Sequence, residues 1–177
     1  MNSGVSNGIK LAHLMKNESG EVIARQLLIE HLINTGKFAK EISQDINCPH
    51  LSFLLAVLHD LGKCKVSFQR RILGLNNNNV NHSSAGASYL RSKLKELRAE
   101  IGRRGLDEAC CYREILYYVI TAHHGLYDTI GEGQNTPGKF VSRIDDRMAL
   151  EEDKVALNEE ILPFLVNELA PAIKEEL

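Results

Sequence analysis

The sequence feature that most constrains the fold is a long apolar segment that ends on a histidine and an aspartate. The segment CPHLSFLLAVLHDLG, residues 48–62, begins with a proline suited to a first helical turn and finishes on a glycine that can stop a helix. We therefore predict a buried helix that ends near Gly62. Asp60 is then a carboxylate at the end of an apolar run, beside His59. This pair is either an ordinary helix end or part of a metal site.

Most of the remaining chain also has apolar residues at helical spacing, whereas strand-like alternation is scarce. We therefore predict a single all-α domain over residues 1–177. Further helices are predicted at residues 27–46, 65–73, 83–101 and 107–125, with two or three more from Phe140 onward that are interrupted near Pro163 and Pro171.

The composition is that of an ordinary globular protein, since 44% of the 177 residues are hydrophobic and 25% are charged. No apolar run approaches the roughly 20 residues of a membrane helix, and the first residues lack the pattern of a signal peptide. We expect a cytoplasmic protein without a membrane partner. The net charge of −2 does not fit a freestanding binder of duplex DNA. Any action on nucleic acid would depend on a local site or on a partner.

Six potential metal ligands lie beside apolar residues on four predicted helices or helix ends. If the helices pack as a bundle, these side chains can converge on its core, where metal sites often form. Imidazole with carboxylate suits Mn, Fe, Co, Ni or Zn and, less clearly, Mg, and the lack of thiolate ligands argues against a structural zinc site. The six residues are His31, His59, Asp60, His82, His123 and His124.

Each of these groups also has a plain structural explanation. His31 could be a hydrogen-bonded core residue, and His82 could simply precede a helix cap. His123 and His124 are adjacent, and neighbouring side chains on a regular helix point about 100° apart. One ion would not easily bind both from an ideal helix, whereas two nearby ions or a distorted last turn would allow it. The plain explanation is one buried, hydrogen-bonded histidine and one exposed one. Lys63 follows the histidine–aspartate pair closely enough to share its surroundings, or it could complement the helix dipole.

The order of these residues along the chain resembles the motif order of the HD superfamily of metal-dependent phosphohydrolases. In this sequence the order is His31, then His59-Asp60 with Gly62-Lys63, then His82-Ser83, then His123-His124-Gly125. The segments IEHLINTGKFAKEIS, LHDLGKCKVSFQRRI, NHSSAGASYL and TAHHGLYD are most similar to the HD nuclease domain of type I CRISPR systems. The similarity runs from about His13 to beyond Phe140.

This resemblance implies a helical HD bundle with a metal site in its core. It implies a metal-dependent nuclease that cleaves single-stranded DNA in CRISPR antiviral defence, with a superfamily 2 helicase, fused or separate, and the CRISPR interference complex as partners. One or two divalent ions (Mn, Ni, Co, Fe or Mg) would be bound, and Lys63 would face the phosphate or the attacking water. Asp60 would bridge two ions, with His31 and His59 on the first and His82, His123 and His124 on the second.

The chain departs from the family pattern at one metal ligand. The family has a further aspartate on a helix well after the histidine pair, whereas Asp145 and Asp146 come earlier and in a different context. We expect the chain to be an N-terminal piece whose last ligand and any helicase lie beyond Leu177, unless Asp145 or Asp146 substitutes. Two other functions remain open: an HD phosphohydrolase acting on nucleotides or cyclic nucleotides, and a non-catalytic module that recruits a helicase.

Overall fold

The computed structural model describes residues 9–101, 109–124, 144 and 151–176. A β-hairpin comes first, helices form most of the remainder, and a π-helical turn at Ala156–Ile161 joins the last two helices. The strands are β1 (Leu11–Lys16) and β2 (Val22–Leu27), and the helices are α1 (Leu28–Ile42), α2 (Pro49–Leu58), α3 (Val66–Ile72), α4 (Ala85–Ile101), α5 (Ala109–Thr121), α6 (Glu151–Val155) and α7 (Leu162–Glu176).

Helix α2 is the centre of the bundle, because α1, α4, α5 and α7 all pack against it. Pro49 stands in its first turn, where the missing N–H costs no hydrogen bond. Gly36 lets α1 approach closely, since a Cβ there would lie 2.7 Å from Val57 Cγ2. The largest fully buried side chains come from these helices and the segments beside them: Leu28, Leu32, Leu54, Val57, Leu58, Leu61, Leu90, Leu116, Ile120, Ile161, Leu165 and Leu169.

The helical prediction is confirmed for the body of the protein, but the β-hairpin was not predicted. β1 and β2 are antiparallel, with Leu11 opposite Leu27 and Lys16 opposite Val22. Every residue of β2 is exposed, and only the first two residues of β1 are buried. Alternation of apolar and polar residues appears only where one face of a strand is buried. This hairpin therefore lacks the pattern that marks a strand.

The central helix ends earlier than predicted. It stops at Leu58, so His59 and Asp60 lie in the turn that follows, and a 3₁₀ turn then spans Leu61–Cys64. Gly62 is therefore not the residue that stops the helix. Its lack of a side chain has another reason, because a Cβ there would lie 2.1 Å from the backbone oxygen of His82.

A second glycine completes the docking of α4 onto the end of α2. A Cβ on Gly86 would lie 1.9 Å from the backbone oxygen of Leu58. Gly62 and Gly86 thus bring the segment that precedes α4 into backbone contact with the segment that carries His59 and Asp60. This contact places His82 beside the aspartate.

The other predicted helices are present, but two of them end earlier than predicted, α1 at Ile42 and α5 at Thr121. At the carboxyl end, helical geometry changes from π to α just before Pro163, but α7 continues through Pro171, where an interruption was predicted. No helix in the described part of the chain combines the length and the apolar character needed to cross a membrane.

We expect Gly62→Ala to destabilise the fold by about 1–3 kcal/mol or more, the range typical of an overpacked core position. The added methyl would collide with the His82 carbonyl, which belongs to backbone and cannot swing aside. Chemical denaturation of the metal-free protein measures the loss. Gly20→Ala is the control, because no atom lies within 4 Å of a Cβ there and only its positive φ of 84° opposes the change. An equal or smaller loss for Gly62→Ala would contradict the close approach.

Candidate metal centre

The centre is built around the buried side chain of Asp60, which is 4% exposed. His59 and Asp60 lie together in the turn after α2, and α1 brings His31 to the same place. Lys63 lies on the 3₁₀ turn that follows and is 5% exposed. The remaining histidines come from segments next to helix ends: His82 precedes α4, and His123 and His124 follow α5.

One oxygen of the Asp60 carboxylate is surrounded by three nitrogen atoms. Oδ2 lies 2.8 Å from Lys63 Nζ, 3.0 Å from His31 Nε2 and 3.0 Å from His59 Nε2. The ammonium donates a charge-assisted hydrogen bond, which is stronger than a bond between neutral groups. We call this half of the centre the Oδ2 side.

The other carboxylate oxygen has no hydrogen bond within the described part of the chain. Asp60 Oδ1 faces His123 Nε2 at 3.4 Å and His82 Nε2 at 3.5 Å. Both Asp60 Oδ1 and His123 Nε2 are buried polar atoms without a hydrogen-bond partner there. Such atoms are costly to bury and are rare in folded proteins. We call this half, which comprises Asp60 Oδ1, His82, His123 and His124, the Oδ1 side.

Backbone carbonyl groups fix the orientation of three imidazole rings. His59 Nδ1 lies 2.5 Å from the oxygen of Ala56, and His123 Nδ1 lies 2.6 Å from the oxygen of Ile120. His82 Nδ1 makes a longer bond of 3.3 Å to the oxygen of Val80. A carbonyl oxygen can only accept, so each Nδ1 carries the proton.

In the neutral rings, Nε2 then carries a lone pair that points toward the Asp60 carboxylate. Two lone pairs repel each other unless a cation lies between them. Metal-binding histidines usually donate their second N–H to a carbonyl or carboxylate in this way. The orientation of His82 and His123 therefore fits a cation on the Oδ1 side, whereas His59 turns its Nε2 to Oδ2, beside the Lys63 ammonium.

The pKa values of several groups in the centre are shifted in directions that suit metal binding. Burial alone would raise the pKa of Asp60, but the polar and charged groups around the carboxylate outweigh it and hold that pKa far below its usual range. Burial lowers the pKa of His82 to about 4, so this ring is neutral at pH 7. The pKa of His124 is lowered as well, by burial and by the adjacent His123. Ionised carboxylate and neutral imidazole are the forms that bind metal ions.

The adjacent pair His123 and His124 departs from helical geometry. Both residues lie beyond the last residue of α5, Thr121, and their ring centroids are 4.1 Å apart. His124 Nε2 lies 2.8 Å from His82 Nε2. One ion can therefore bind both rings, which a regular helix would not allow. His124 is also the exposed member of the Oδ1 side, so the centre opens to solvent there.

Two groups of side chains have the spacing of a metal site. One donor atom from each of Asp60, His82, His123 and His124 lies within 4.8 Å of the others, and the same holds for His13, His31 and Asp60. Three imidazoles and a carboxylate suit a divalent transition ion. The unpaired Asp60 Oδ1 and His123 Nε2 show that the first group fits such an ion.

His13 is the residue of the centre that the sequence did not indicate. It lies on β1, its Nε2 is 3.2 Å from Lys63 Nζ, and its ring centroid is 5.0 Å from that of His31. Its pKa is lowered by burial and by the charge of Lys63, so the neutral ring accepts a hydrogen bond from the ammonium. The signal that could have found it is its place at the start of the family resemblance, in LAHLMKN.

Three residues singled out in the sequence, Gly125, Asp145 and Asp146, lie outside the described residues. The described part does contain another buried acid, Asp153 on α6, which is 4% exposed. Asp153 Oδ1 accepts a hydrogen bond of 2.9 Å from the backbone N–H of Val66, and Asp153 belongs to neither group of potential ligands. It joins α6 to the start of α3.

We expect the chelator-treated protein to lose stability as the pH falls from about 6.5 to 4. An unfolded histidine binds a proton near pH 6.5, whereas folded His82 resists it until about pH 4, so the unfolded state gains protons first. Urea denaturation at several pH values measures this dependence. His82→Gln should flatten it. The same slope in His82→Gln and wild type would argue against a neutral buried His82.

Comparison with known proteins agrees with this geometry. The family model of the HD domain matches residues 28–153, which include every residue of both sides of the centre except His13. No curated protein matches the chain. Proteins of this family are metal-dependent phosphohydrolases, and the His/Asp cluster in the core has the composition that such an activity needs. The chain belongs to the HD domain family.

Proposed function

We propose that this HD domain hydrolyses phosphodiester bonds of single-stranded DNA with the help of a divalent ion, as the nuclease of a CRISPR interference system. The observation that carries the hydrolytic part is the unpaired Asp60 Oδ1, which faces the Nε2 atoms of His82 and His123. The DNA substrate, the superfamily 2 helicase and the interference complex come from the sequence resemblance.

A divalent ion in this site would polarise the phosphate and lower the pKa of a bound water, which supplies the nucleophile. Asp60 and the three histidines of the Oδ1 side would hold it. The carbonyl groups of Ile120 and Val80 keep His123 and His82 turned toward the carboxylate. The ammonium of Lys63 is a fixed positive charge that would offset the negative charge developing on phosphate oxygens.

One feature of the chain supports a nucleic-acid substrate. Arg70 and Arg71 are exposed in the last turn of α3, a short helix that is joined to the centre through Gln69, whose amide donates to the Lys63 carbonyl at 2.7 Å. Exposed cations near a phosphohydrolase site can follow a phosphate backbone. The net charge of −2 provides little general attraction for DNA, so the proposed helicase partner would have to deliver the strand.

The main competing substrates are nucleotides and cyclic nucleotides, which need the same metal ligands. A panel of single-stranded oligonucleotides, duplex DNA, mononucleotides and cyclic nucleotides, tested with Mn, Ni, Co and Mg, separates these functions. We expect cleavage of the single strand that stops when chelator is added and returns with excess metal. Hydrolysis confined to the small substrates would overturn the nuclease proposal but leave the phosphohydrolase. Bound metal without hydrolysis of any substrate would favour the non-catalytic module.

We expect Asp60→Asn to reduce cleavage by more than about 100-fold, the loss typical when a preorganised electrostatic group is removed. The amide keeps the size of the side chain but loses the charge that holds the ion. Metal content and circular dichroism of the same sample separate a lost site from a lost fold. Asp45→Asn is the matched control, because Asp45 is exposed on the 3₁₀ turn after α1. Unchanged cleavage by Asp60→Asn would refute the role of the carboxylate.

A further inference from the structure

The Oδ2 side of the centre already contains a cation. Lys63 Nζ is 2.8 Å from Asp60 Oδ2 and 3.2 Å from His13 Nε2. His13, His31 and Asp60 are the second group whose spacing could hold an ion. An ion bound to His13 and Asp60 would need the position that the ammonium holds.

The backbone and side chain of Lys63 are both held in place. Its N–H donates to the Asp60 carbonyl at 2.9 Å, and its carbonyl accepts from Gln69 Nε2 at 2.7 Å. Its side chain is 7% exposed, and Nζ lies 5.9 Å from the centroid of the Phe68 ring, within the range of a cation–π contact. The ammonium is therefore not a surface charge that turns away at little cost.

The balance of charge also argues against a metal ion on the Oδ2 side. Asp60 is the only carboxylate in either group of potential ligands among the described residues, and the other members are imidazoles. One carboxylate and one ammonium leave the centre neutral before any metal binds. A first dication adds two positive charges. A second dication beside Lys63 would face strong repulsion from both cations, and the described ligands offer no further anion to offset it.

We propose that the centre binds one divalent ion, on the Oδ1 side, and that the Lys63 ammonium takes the place of a second ion on the Oδ2 side. The proposal rests on the metal site of the proposed function and departs from the bridging of two ions by Asp60. His13 is then a positioning residue, because its neutral Nε2 accepts a hydrogen bond from the ammonium. Lys63 gives the centre a second cation, which is part of the chain and cannot be removed by a chelator.

The number of ions per chain tests this proposal without reference to activity. Tag-free protein is dialysed against MnCl₂, freed of loose metal and analysed by inductively coupled plasma mass spectrometry, with electron paramagnetic resonance to detect coupled Mn pairs. We expect one ion and no coupling in the wild type. Lys63→Met removes the charge but keeps the length of the side chain. This variant should bind two ions with coupled spectra, and Lys63→Met with His13→Ala should return to one.

Lys65→Met is the matched control, because Lys65 is also buried but its ammonium donates to the carbonyl of Asn81, 3.2 Å away. It should bind one ion. Two ions in the wild type, or one ion in Lys63→Met, would overturn the proposal while leaving the proposed hydrolysis intact. No ion in the wild type would refute both. If Lys63→Met does not fold, Lys63→Gln provides the neutral side chain and should bind two ions.

Discussion

The structure depends on the burial of one negative charge. A carboxylate that is taken out of water must be balanced by positive charge and hydrogen bonds, because its desolvation costs several kcal/mol. Asp60 meets this requirement on one side only, where the Lys63 ammonium and His31 approach Oδ2. Its other oxygen faces imidazole nitrogens that have no proton to offer in their neutral form. The imbalance between the two oxygens is the physical basis for a metal ion at this position.

The backbone is shaped so that these side chains meet. His82 comes from a segment that is distant in sequence, and it lies beside Asp60 because Gly62 and Gly86 let two backbones touch. His123 and His124 come together because α5 ends at Thr121, before either residue. The segments that carry ligands thus adjoin helix ends, where the chain can leave helical geometry, while Leu54, Leu58 and the other core residues fix the helices themselves.

The sequence predicts some parts of this arrangement well. The apolar spacing of α1, α2, α4 and α5 predicts helices, because burial of one face imposes that spacing. The hairpin escapes detection because β2 is exposed on both faces. Gly62 looks like a helix stop, and only the three-dimensional contact with His82 reveals its other role.

The candidate metal centre is likewise predicted only in part from the sequence. The ligand types and their association with apolar helix ends are enough to indicate a metal centre from the sequence alone. His13 gives no such signal, since it lies at an exposed position of β1 and meets Lys63 only through tertiary packing. The two different sides of Asp60 are also invisible in the sequence, because they depend on distances between segments that are far apart along the chain. Asp145 and Asp146 lie outside the described residues, and their part in the centre stays a prediction.

The proposed function depends on the binding of a divalent ion by Asp60 Oδ1 and the three histidines beside it. Anomalous diffraction from a crystal grown with MnCl₂, measured on both sides of the Mn absorption edge, tests it directly. One strong peak is expected about 2.0–2.3 Å from Asp60 Oδ1 and from nitrogen atoms of His82, His123 and His124, a usual distance for such ligands. A Mn-loaded crystal whose anomalous peaks all lie away from Asp60 Oδ1 would contradict it.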